Sequence, residues 1–211
     1  MTRVCACWPS VNHDKSKKMV DVWRERGYLT SVLMENDKVA ETGCDYPIFN
    51  PKWVSFPDAA NKLCHNNDAD IVVLVGDDIF PDKKHTAQEV AKVYLKYFPN
   101  LQGVMQPIGD RFASIMTCCI SPWIGRTFIK TVYDGKGPYW PEYYHYYSDH
   151  ELQIIAPMHG GFIQITHISQ YHDHWQRHNL PRPEYLQKAL KEWNSDQTTF
   201  LRRKVRNFPW K

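Results

Sequence analysis

Apolar residues recur along this chain with two different periods. Three short runs, 4–8, 29–34 and 71–75, are apolar or β-branched almost throughout. Runs of that length bounded by turn residues read as strands covered on both faces. Between them the spacing changes to that of helices. Met19, Val20, Val22 and Trp23 mark one face of a helix over 14–26, which Gly27 stops. Asp58 is placed to cap a second helix whose inner face is Ala59, Ala60, Leu63 and Cys64. A third, over 88–98, turns Val90, Val93, Tyr94 and Tyr97 inward. The segment 35–52 is polar and reads as an irregular loop. Strand and helix thus alternate through the first half, which predicts a parallel sheet flanked by helices.

The second half is less regular. Residues 113–120 and 162–168 read as strands, and 183–193 as an amphipathic helix with Tyr185, Leu186, Ala189, Leu190 and Trp193 inward. No repeat or low-complexity linker divides the chain. Its 211 residues suit one domain with a sizeable core.

Composition narrows the class. Hydrophobic residues make up 43% and charged residues 23%, as in ordinary globular proteins. A formal charge of +3 gives no argument for a nucleic-acid partner. No segment approaches the ~18 apolar residues of a membrane span, and residues 1–8 do not resemble a signal peptide. The cysteines, at 5, 7, 44, 64, 118 and 119, include no Cys-x-x-Cys pair. They fit buried thiols of a reducing, cytoplasmic compartment and are expected to be dispensable for activity.

The chemistry concentrates at 68–82. The apolar run 71–75 leads into Gly76, Asp77 and Asp78. Open α/β sheets place ligands at the C-terminal ends of their strands. Two adjacent carboxylates there repel unless a cation neutralises them, and oxygen ligands suit Mg²⁺ or Mn²⁺. A solvated acidic turn is the plain alternative. Later come Ser148-Asp149-His150-Glu151 and the His-x-His pattern of His172 and His174 beside Trp175.

Taken in order, these features resemble a compact nucleotide-sugar glycosyltransferase of the GT-A fold, of the large, mostly inverting family 2 type. Pro9-Ser10-Val11-Asn12 resembles the family's Pro-Thr-x-Asn opening beside the nucleotide. The strand over 71–75 with Asp77 and Asp78 resembles its Asp-x-Asp metal motif, with Val75 standing where the first Asp would be. Ser148-Asp149-His150-Glu151-Leu152 resembles the Glu-Asp motif that carries the catalytic base, with Ser148 in place of the Glu. The strand from Gly161 to His172 resembles the late strand that ends in a metal-binding His.

The resemblance implies an α/β fold: a single GT-A-like (Rossmann-like) domain over 1–211, with a mostly parallel sheet and a C-terminal helical segment at about 183–206. It implies transfer of a sugar from a nucleoside-diphosphate donor, a UDP-sugar, to a saccharide or other hydroxyl acceptor, with inversion. Mn²⁺ or Mg²⁺ would be held by Asp77 or Asp78 with His172, His174 being the alternative ligand or a phosphate contact. Pro9, Ser10, Asn12, Val75, Gly76, Asp77 and His174 would meet the donor. Asp149 would be the base and Glu151 the second candidate, unless Ser148 and Glu151 merely form a helix capping box. Gly135-Lys136-Gly137 resembles a loop that approaches the sugar, and Trp140, Tyr143, Tyr144 and Trp175 offer faces for an acceptor sugar. The same residues leave three rivals open: a nucleotidyltransferase, a metal-dependent phosphodiesterase, and a carbohydrate- or nucleotide-binding module without turnover.

Overall fold

The structure is a computed structural model and describes residues 1–110 and 118–209. Strands β1 (Val4–Pro9), β2 (Leu29–Met34), β3 (Tyr46–Phe49) and β4 (Ile71–Leu74) run parallel in the order β3-β2-β1-β4. The sheet continues through β7 (Trp123–Gly125), β6 (Val104–Pro107) and β8 (Phe162–Ile165). Among the described residues the sheet has seven strands and is mostly parallel, with only β7 reversed.

The strands alternate sides with period two, which explains their unbroken apolar sequences. Cys5, Cys7, Val72 and Leu74 face a layer formed with α2 (Phe56–His65), α4 (Arg126–Thr131) and α5 (Ser148–His159). Val4, Ala6, Trp8, Ile71 and Val73 face α1 (His13–Glu25) and α3 (Ala87–Tyr97). Both layers are apolar, so the two buried polar residues of β2 are hydrogen-bonded, Thr30 to Asp45 and Ser31 to the Tyr46 carbonyl.

Several expectations shift. The loop expected over 35–52 contains a 3-10 turn, Asp37–Thr42, and β3, whose alternating half-buried pattern is that of an edge strand. Ser55, not Asp58, caps α2: its side chain accepts from the Asp58 N–H, three residues on. Tyr97 is exposed although Val90 and Tyr94 are buried. Most of the strand expected at 113–120 lies outside the described residues, and 118–120 carry no strand. The expected C-terminal helix is two helices, α6 (Glu184–Leu190) and α7 (Trp193–Val205). Of its inward face only Ala189 is buried; Tyr185, Leu190 and Trp193 are exposed. No helix among the described residues is long and apolar enough to cross a membrane.

The C-terminal helix is held by charge. Buried Asp196 accepts the backbone N–H groups of Tyr144, His145 and Tyr146 at 2.7–2.9 Å. Buried Arg203 pairs with fully buried Glu151 of α5 through Nη2 at 2.8 Å and Nε at 2.9 Å. Tyr133 and Tyr143 donate their hydroxyls to the same carboxylate, and the guanidinium lies 3.6 Å from the centre of the Trp140 ring.

Candidate active site

Strand β4 carries Val75, Gly76, Asp77 and Asp78 to the C-terminal edge of the sheet. Gly76 gives the carboxylate after it room: a Cβ there would lie 2.6 Å from Asp78 Oδ1. The chain then enters β5 (Ile79–Phe80), which pairs antiparallel with β9 (Tyr171–His172), Ile79 opposite His172. The Asp173 N–H donates to the Asp78 carbonyl at 2.8 Å. This ribbon sets His172 Nε2 3.4 Å from Asp78 Oδ2, both side chains being at most one-fifth exposed. Burial acts to raise the Asp78 pKa, but the hydrogen bond and charge of His172, with Lys15, outweigh it and leave it below the usual carboxylate range.

Asp77 faces elsewhere. Its Oδ2 accepts from Ser10 Oγ at 2.6 Å and its Oδ1 from Lys15 Nζ at 2.8 Å. Of the three expected metal ligands, Asp78 and His172 are therefore brought together, while Asp77 is engaged by protein donors. A carboxylate and an imidazole with a second carboxylate beside them suit Mn²⁺, and the oxygens alone suit Mg²⁺. Among the described residues, the group with three potential ligand atoms within 4.8 Å of one another is Cys118, Asp149 and His150.

A cleft of about 420 Å³ opens beside Asp78, and His172 is not among its lining residues. Pro9, Ser10, Val75, Gly76, Asp77 and Asp78 line it. Asn12 does not; its side chain caps α1, accepting from the Lys15 N–H at 2.9 Å. His174 also lies off the cleft lining, its ring centre 4.9 Å from that of His172 and 5.2 Å from that of Trp175. Burial, then the neighbouring His172, lowers its pKa.

Sequence reasoning missed Glu35, Trp53, Phe56, Tyr185 and Lys188 as cleft residues. Glu35 had a signal, since it directly follows the last residue of β2 just as Asp77 follows the apolar run of β4. Trp53 and Phe56 had none, because they follow a strand that was read as loop. Tyr185 and Lys188 come from α6, which lies over the cleft. Partial burial, then the charges of Asp78 and Asp77, push the Tyr185 phenol pKa up.

Asp149 sits in the first turn of α5, where the helix dipole favours a carboxylate. Its Oδ1 accepts from His150 N at 2.9 Å and pairs with His150 Nδ1 at 3.0 Å. Burial pulls its pKa up, but His150 and the Cys118 thiol outweigh that, so the group is ionised at neutral pH. The His150 pKa rises in response. Asp149 does not line the cleft, but His145 does and feels its charge. Glu151 is not in the cleft, and no capping box forms: Tyr147 occupies the N-cap position without a side-chain cap. Trp140 and Tyr143 are buried core, Tyr144 lines the cleft, and Gly137 packs on Asn61. All six cysteines are free, and five are buried.

This architecture is shared with solved structures. A mannosyltransferase from Pyrobaculum calidifontis, in complex with GDP-Man and Mn²⁺, matches 77% of this chain at 14% identity with a TM-score of 0.58. TarS from S. aureus matches 81% at 11% identity with a TM-score of 0.59. Glucosyl-3-phosphoglycerate synthase from Mycobacterium tuberculosis, in complex with Mn²⁺, UDP and phosphoglyceric acid, matches 95% at 12% identity with a TM-score of 0.56. The matches span 54%, 60% and 76% of those chains respectively. No protein-family model matches the sequence, and no curated protein does. The fold is that of the GT-A glycosyltransferases.

Proposed function

We propose that this chain is a metal-dependent glycosyltransferase that moves a sugar from a nucleoside-diphosphate donor, a UDP-sugar, to an acceptor hydroxyl with inversion. The observation that carries the reading is the Asp78–His172 pair at a strand end beside a cleft, on a GT-A fold. Asp78 and His172 would hold Mn²⁺ or Mg²⁺, with Asp77 adjacent. A bound divalent ion supplies charge neutralisation for the departing diphosphate. Pro9, Ser10, Val75 and Gly76 form the wall along which the nucleotide lies. Asp149, ionised and steadied by His150, lies off the cleft lining but within electrostatic reach of the cleft residue His145, and in this reading it takes the proton of the acceptor hydroxyl from there. The acceptor oxygen then bonds to the anomeric carbon as the bond from that carbon to the diphosphate oxygen breaks, and the diphosphate leaves with the electron pair.

Calorimetry with UDP and GDP, each with Mn²⁺ and with EDTA, tests donor class and metal together. Equal binding in EDTA overturns the metal assignment. Asp149→Asn keeps size but removes the proton acceptor. It should bind nucleotide and metal as wild type does while transfer falls by ~10²–10⁴-fold, chiefly in kcat. Near-normal transfer by that variant overturns the base assignment and, with it, the argument for inversion.

A further inference from the structure

Asp77 is the one expected metal ligand whose two oxygens are already engaged, one by Ser10 and one by Lys15. The engagement is a built feature of the fold. Lys15 lies in the first turn of α1, and the Asn12 side chain caps its backbone N–H. Its side chain then crosses to the end of β4 and places Nζ 2.8 Å from Asp77 Oδ1. Its charge also reaches Asp78. Ser10 and Val11, just before the helix, line the cleft beside the carboxylates. Lys15 does not itself line the cleft, but its ammonium sits on Asp77, which does, one side-chain rotation from the acidic end of the cleft. It is 45% exposed, on a flexible four-carbon stem, so it can change partners without disturbing the core.

We propose that Lys15 is a diphosphate-binding residue that doubles as an internal counter-cation. It neutralises Asp77 while no divalent ion is present and turns to the donor phosphates once an ion is bound. This rests on the reading of the cleft as a nucleoside-diphosphate site. The charge balance motivates it. Two carboxylates and a diphosphate in one place need more positive charge than one divalent ion provides. A lysine already paired with one of the carboxylates supplies the rest.

The two roles predict effects of opposite sign in a single variant. In Lys15→Met, Mn²⁺ added alone should bind severalfold more tightly than to wild type, because its competitor is gone. Inorganic pyrophosphate and UDP, titrated by calorimetry at saturating Mn²⁺, should bind about tenfold or more weakly, as loss of a charge-assisted contact dictates. Lys15→Arg should keep most of the pyrophosphate affinity. Unchanged pyrophosphate and UDP affinity in Lys15→Met overturns the proposal. So does weaker Mn²⁺ binding, which would make Lys15 a mere prop for Asp77. A wild type that binds neither pyrophosphate nor UDP overturns this and the glycosyltransferase reading together. Normal wild-type binding with an indifferent Lys15→Met removes only the role of Lys15.

Discussion

Replacing Glu151 by Gln separates a structural carboxylate from a catalytic one. In the fold its two oxygens accept from Arg203 Nε and Nη2, Tyr143 and Tyr133, and the side chain is sealed from solvent. Gln keeps the volume but turns an NH₂ group toward donors only. Arg203, itself 4% exposed, keeps its charge with no counter-charge. Breaking a buried pair in this way costs about 3–5 kcal/mol, a large part of a domain's usual ~5–15 kcal/mol. For a chain of this size that corresponds to a fall in Tm of about 6–20 °C. Replacing both partners, as in Glu151→Leu with Arg203→Met, should recover much of the loss. The methionine can also keep the contact with Trp140. Thermal and urea unfolding by circular dichroism read the effect, and UDP binding is measured well below both transitions. A Glu151→Gln variant melting within ~2 °C of wild type would refute the burial argument. Lost transfer with unchanged stability would return Glu151 to the chemistry.

Other expectations follow from single contacts. The His150 pKa is raised by its hydrogen bond to Asp149, against burial, so the pair's imidazolium contribution is fully present below pH 6.5 and fades as pH rises through the higher folded value. The Asp149 contribution is present above pH 3.8 and fades as pH falls through its lowered folded value. An NMR titration of His150 should show a midpoint above 6.5 that drops in Asp149→Asn; a wild-type midpoint at or below 6.5 contradicts the pairing. Gly76→Ala should reorient Asp78 and weaken Mn²⁺ binding while the fold melts nearly as before, and unchanged Mn²⁺ affinity would show that the carboxylate has another route to its position. Cys118→Ser keeps a hydrogen-bond donor beside Asp149 and should leave transfer near normal; a strong loss at normal stability would give the thiol a role.

The central strands were legible because they are sealed on both faces. Burial of both sides forces runs that are apolar or β-branched almost throughout, and those runs locate β1, β2 and β4 and hence the ends where Ser10 and Asp77 stand. β3 was not legible, because an edge strand with half-buried alternate residues differs little from a polar loop. The helix α2 was found by its inner face, but its start was misjudged, since Ser55 and Asp58 are both good caps and the local sequence does not choose between them. Asp77, Asp78, His172 and Asp149 belong to local patterns, but which oxygen faces which donor depends on a lysine 62 residues away in sequence. The burial of Glu151 was not legible for the same reason: its partners, Arg203, Tyr133 and Tyr143, lie on other elements. The face carrying Tyr185, Leu190 and Trp193 was read as inward because spacing reports amphipathicity and not what covers the apolar side.

The β5–β9 ribbon makes the carboxylate–imidazole pair a reporter on its own assembly. A ribbon of two residues per strand cannot hold itself together in water. Its two strands follow β4 and β8 in the chain, so the large sheet positions both of them. Anything that grips Asp78 and His172 at once is a cross-link between the ribbon's two halves, and its binding energy becomes closure energy for the ribbon. Occupancy is thereby expected to show in backbone protection at Ile79 and His172, with the buried central sheet as the internal reference. Amide exchange at those positions would register a bound ion without any substrate, and would separate a closed, empty ribbon from a loaded one.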